Sequence, residues 1–119
     1  MTVRRLKTYA GSQGYVYQYY FVGSRPSLDA SGPASTEYVF DVTSDRKVTF
    51  SVSVLLYHQA LEAWSAAHGR QLTSAEQYAA AKLRLMRGFD EIEDMRAQGR
   101  VLPLDASLLE ELLANLRVQ

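Results

Sequence analysis

The sequence predicts an α+β fold, a four-stranded antiparallel sheet in the N-terminal half followed by three helices packed on one face. Three observations carry this. Lys47–Ser53 alternates apolar and polar residues as a half-buried strand does. The period becomes helical from Val54, where Leu56, Ala60, Ala63, Trp64 and Ala67 recur on one face. Thr73-Ser74-Ala75-Glu76 is a capping-box pattern that opens a long helix. Strands first and helices after them suggest one domain over 1–119, with 1–53 as the sheet portion and 54–119 as the helical portion.

Each element follows from local chemistry. Val3–Tyr9 and Tyr15–Val22 flank Ala10-Gly11-Ser12-Gln13-Gly14, a turn rich in residues that tolerate positive φ, and together read as a hairpin. Gly23–Ser35 contains Pro26 and Pro33 and reads as a loop. Thr36–Val42 is the third strand, and Lys47–Ser53 the fourth after a turn at Thr43-Ser44-Asp45-Arg46. Along that fourth strand Val48, Phe50, Val52 and Val54 face one way, Lys47, Thr49, Ser51 and Ser53 the other. The first helix begins at Val54 and ends at Gly69, a C-cap glycine. The second runs from Thr73 to about Ala97, with Gly99 just past it. Gly88 inside it suggests close approach of another element or a bend. Pro103 breaks the chain, and Asp105 caps a last helix carrying Leu108, Leu109, Leu112, Leu113 and Leu116.

Composition removes several function classes. Lys plus Arg and Asp plus Glu both number 13, so the net charge is zero and the footprint of a general nucleic-acid or membrane-surface binder is missing. There is no cysteine, which excludes disulfides, thiolate metal sites and a thiol nucleophile. No apolar run approaches a membrane span, and MTVRRLKTY lacks the apolar core of a secretory signal, so a cytoplasmic location is expected. His58 and His68 stand ten residues apart and do not share a helix face. His68, beside Gly69, suits a helix C-terminus, where the dipole favours positive charge. Asp90-Glu91-Ile92-Glu93-Asp94 lacks calcium-loop spacing and reads as a solvated helix face. No catalytic residue, cofactor site or metal site is indicated, and a non-enzymatic role is expected.

The chemistry that remains is aromatic. In GYVYQYYFVG, residues 14–23, Tyr15, Tyr17, Tyr19 and Phe21 share one strand face, and Val16, Gln18, Tyr20 and Val22 the other. In the structural reading, Phe21 and two tyrosines enter the core. In the functional reading, an aromatic strand meets a partner, since tyrosine offers rigid contact area with a polar tip. The expected function is therefore a protein-interaction or self-assembly module that binds a protein partner or a second copy of itself. Tyr15, Tyr17 and Tyr19, or the helix edge at Lys82, Arg84 and Arg87, are its candidate interface. The alternative is single-stranded nucleic acid stacked on the sheet, with Arg4, Arg5, Lys7, Tyr17, Tyr19 and Lys47 as contacts. Glu37 and Asp41 in the third strand argue against that alternative.

Overall fold

A computed structural model describes residues 6–27 and 32–119. It is α+β. Four strands form an antiparallel meander: β1 (Lys7–Ala10), β2 (Val16–Pro26), β3 (Ser35–Thr43) and β4 (Phe50–Tyr57). Three helices follow, α1 (His58–His68), α2 (Ser74–Glu91) and the short α3 (Met95–Gln98). The chain then re-enters the sheet as β5 (Val101–Leu104), parallel to β4, and ends in α4 (Ala106–Asn115). The five strands lie in sequence order.

The α+β class fits, but the described sheet has five strands and is mixed where four antiparallel strands were expected, four helices stand where three were expected, and several boundaries differ. The fourth strand continues through Val54, Leu55, Leu56 and Tyr57, so the helix starts at His58 and the division at residue 53 disappears. Leu56 follows Val52 and Val54 at period two and is fully buried in the sheet. It suits either period, and pairing with β3 decides between them. Val48, expected in this strand, precedes it and is exposed. The second strand runs on to Pro26, because an irregularity between Phe21 and Gly23 lets Val22 bulge and the ladder resume with Gly23 opposite Val39. The long helix stops at Glu91, where Ile92 takes an extended conformation (φ −102°, ψ 118°), rather than reaching Ala97. The fifth strand contains Pro103, expected only as a breaker. Part of the predicted first strand, 1–5, lies outside the described residues.

The core forms where the inward side chains of the sheet meet the helices. Tyr17, Tyr19, Phe40, Val42, Val52, Val54, Leu56, Leu102 and Leu104 supply the sheet side. Trp64 of α1, Ala80, Ala81, Leu85 and Phe89 of α2, Met95 of α3 and Leu109, Leu112 and Leu113 of α4 supply the helix side. Gly88 is the point of closest approach: a Cβ there would stand 3.0 Å from Leu102 Cδ1 and 3.5 Å from Met95 Cε. The glycine thus lets β5 and α3 pack against α2. Both halves of the expected α2 capping box are present. Thr73 Oγ1 accepts from Glu76 N at 3.2 Å, and Glu76 Oε1 accepts from Thr73 N at 2.9 Å.

Candidate interaction surface

The helices cover one face of the sheet only. On the other, alternation along β3 presents Glu37, Val39, Asp41 and Thr43, all partly exposed. Strand register joins them into cross-strand rows: Tyr20–Asp41–Ser51, Gly23–Val39–Ser53–Val101 and Arg25–Glu37–Leu55–Pro103. Val101 is 59% exposed, and Val39 and Leu55 are half-buried among polar neighbours.

The carboxylates of this face are held by their neighbours. Tyr20 Oη donates to Asp41 Oδ2 at 2.7 Å, and Ser51 Oγ lies 3.4 Å from Asp41 Oδ1. Ser53 Oγ donates to Glu37 Oε2 at 2.6 Å, and Arg25 Nε to Glu37 Oε1 at 2.7 Å. The Ser53 hydrogen bond first, then Arg25, holds the Glu37 carboxyl below its ordinary value against the opposing effect of burial. Arg25 is 61% exposed, so the ion pair itself contributes about 0.2–1 kcal/mol. What the network does is fix side-chain positions, giving a face of ordered acceptors and hydroxyls with small apolar areas between them.

The residues proposed from sequence are separated by the fold. Tyr17 and Tyr19 are 2% and 3% exposed and point at the helices, so neither ring is open to a partner or a base. Tyr17 stacks on Phe89 with centroids 4.2 Å apart at 8°, and Tyr19 sits 5.8 Å from the same ring. These two rings lie in the core, as the structural reading of the strand expects. Phe21 joins them as a half-buried ring 4.8 Å from Tyr78. Tyr15 precedes the strand and is 46% exposed. Lys7 pairs opposite Tyr19 in β1, and Lys47 lies in the β3–β4 turn, so the two do not line one surface. Arg4 and Arg5 lie outside the described residues.

The basic edge of α2 is engaged within the chain. Arg84 Nε donates to the Pro103 carbonyl at 2.8 Å, and burial lowers the pKa of its guanidinium. Arg87 bonds Glu111 at 2.7 Å and lies 3.6 Å from Glu91, the i,i+4 partner visible in sequence. Lys82 Nζ sits 6.0 Å from the centre of the Tyr78 ring. The acidic run Asp90–Asp94 is not one solvated face either. Asp90 accepts from Tyr9 Oη at 2.7 Å and from Ser12 N at 2.9 Å, which fastens the first hairpin to α2, and Asp94 caps α3. His68, the last residue of α1, stacks on Trp64 and places Nε2 2.6 Å from Glu110 Oε1. His58 Nε2 lies 3.3 Å from Thr36 Oγ1, beside an open cleft of about 480 Å³ lined by Leu61, Glu62, Gln71 and Gln77.

Sequence reading missed the Tyr20–Asp41–Ser51 and Arg25–Glu37–Ser53 groups as units. The usable signal was period two: Glu37, Val39 and Asp41 must share a face. Among the described residues no group of three or more His, Asp or Glu is placed to hold a metal ion, and no helix is long and apolar enough to cross a membrane. No family model, curated protein or solved structure matches the chain.

Proposed function

We propose that the protein is a non-enzymatic protein-interaction module that docks through the uncovered face of its sheet, with a second copy of itself as the first partner to test. The supporting observation is the one-sided placement of the helices. It leaves Val39, Leu55 and Val101 set among the fixed Asp41 and Glu37 networks on the open face. Apolar patches inside a polar frame suit a modest, reversible interface. Nucleic acid on this face has less support. Asp41 and Glu37 stand at its centre, and Tyr17 and Tyr19 point away from it.

Light scattering over a tenfold range of concentration tests the reading. Mass should rise above one chain as concentration increases, and Val101→Asp should return it to a monomer without lowering the unfolding midpoint, since that side chain is exposed. A monomer at every concentration would sink self-association. Retardation of short oligonucleotides that fades with added salt would favour the nucleic-acid alternative instead.

A further inference from the structure

The β1–β2 and β3–β4 turns leave the meander at the same end, where the α2–α3 connection also crosses. Between them lies a cleft of about 490 Å³ whose walls include Tyr15, Tyr17, Phe50, Glu93, Asp94 and Arg96. Its size is that of a small-molecule or side-chain site. Tyr15, 46% exposed, offers the open ring there, with the enclosed Tyr17 ring 6.2 Å away and tilted by 52°.

Two observations point to a cationic occupant. The first is charge and ring chemistry. Glu93 makes no ion pair with a described residue, and Asp94 uses only Oδ1, to cap Ala97 N at 3.1 Å. Against these two carboxylates stands one guanidinium, that of Arg96, so the lining is net negative. Aromatic faces attract cations through their quadrupole. The second is Tyr17 itself. The residue is 2% exposed and lines the cleft, and its hydroxyl makes no hydrogen bond to a described residue. Burial first, then Tyr15 and Asp94, which line the same cleft, raise its pKa. A hydroxyl and two carboxylates lining one cleft are an acceptor set for N–H donors on a positive centre.

We propose that this cleft binds an alkylammonium group, supplied either by a lysine side chain of a peptide or by a free primary amine. Its N–H donors would reach Tyr17 Oη and the Glu93 and Asp94 carboxylates, and its methylenes would lie against Tyr15 and Phe50. The site is separate from the open sheet face, so either can fail without the other.

The test is titration of the ¹⁵N-labelled protein with n-butylammonium and, separately, with a capped Ala-Lys-Ala tripeptide. Saturable shifts at Tyr15, Tyr17 and Glu93–Arg96 are expected. Tyr15→Ala should weaken binding about 2- to 10-fold. Tyr17→Phe should keep the fold, since no internal hydrogen bond is lost, and weaken binding about threefold or more. Arg96→Gln should tighten it by removing the like charge. Tighter binding of the tripeptide assigns the site to a lysine side chain, and equal binding assigns it to free amines. No saturable shift with either probe would overturn the proposal. So would binding that Tyr17→Phe and Glu93→Gln both leave unchanged, or preferential binding of propionate.

Discussion

At the scale of single residues, neighbours in sequence have opposite fates. Tyr19 and Tyr20 are adjacent, yet Tyr19 is enclosed beside Phe40 and Phe89 while Tyr20 holds Asp41 on the open face. Tyr19→Ala should therefore cost about 3–5 kcal/mol, the range for removing a large core ring. Tyr20→Phe should cost about 0.5–1.5 kcal/mol, the net worth of one hydrogen bond. Urea unfolding of the two variants measures the difference, and equal losses would mean that the facing of β2 is wrong. Gly11 is a third case. A Cβ there would stand 3.0 Å from the carbonyl oxygen of Phe89, a backbone atom that cannot move aside alone. Gly11→Ala should loosen the contact of the first hairpin with α2, seen as faster amide exchange at Ser12, whose N–H bonds Asp90. The alternation that separates Tyr19 from Tyr20 was legible in sequence, but which face met the helices was not. Both faces of that strand carry apolar groups, and only the apolar surface of Leu85 and Phe89 opposite it decides.

Among the elements, α2 and β5 show where local chemistry suffices and where it does not. The start of α2 was legible because a capping box is a local device. Arg70 reinforces it with Nη1 and Nη2 each 2.9 Å from a Glu76 carboxylate oxygen. The Arg70 hydrogen bonds first, then the Thr73 N–H, pull the Glu76 pKa from an ordinary 4.5 to about 2. A carboxyl with a depressed folded pKa stabilises the fold fully above its unfolded pKa, and that contribution is lost as pH falls through the folded value. Thermal midpoints should therefore drop between about pH 4.5 and 2, and Glu76→Gln should flatten that part of the profile. The end of α2 was not legible. Glu91 to Asp94 are compatible with a continuing helix, and the turn is set by Met95 entering the core against Gly88. Nor was β5, because proline normally argues against a strand. The Arg100 carbonyl oxygen accepts from Ser53 N of β4, so the backbone groups of Val101 and Pro103 point to the free edge. Proline has no N–H to leave bare there, and Arg84 takes its carbonyl. This blunts the edge against pairing with another strand at Pro103. Pro103→Val combined with Arg84→Ala should expose it further, and light scattering should then show larger aggregates than the parent protein forms at the same concentration.

Over the whole molecule, the sheet is completed by a strand drawn from the helical half. Leu102 and Leu104 are buried beside Val54 and Leu56, their partners in register, so neither half holds a finished core. A mixture of helix periods and strand periods in the second half reads as a helical domain until β5 is recognised. Its parallel pairing depends on contacts across α1, α2 and α3 that no local pattern encodes. Separate peptides of residues 1–57 and 58–119 should each lack a cooperative thermal transition, and mixing them should restore one; a transition in 1–57 alone would contradict the shared core. The same strand order sets a schedule for synthesis. β4 emerges with one flank paired to β3 and the other bare, and stays so while the three helices and then β5 are translated, a delay of roughly 2 to 10 seconds at ordinary ribosomal rates. During it the nascent chain displays the row Val52, Val54 and Leu56 beside an unpaired backbone, the kind of segment that chaperones bind. Slowing elongation after Tyr57 would lengthen that exposure, so the yield of folded protein should depend on codon choice in the stretch that encodes the helices as well as on the amino acids themselves.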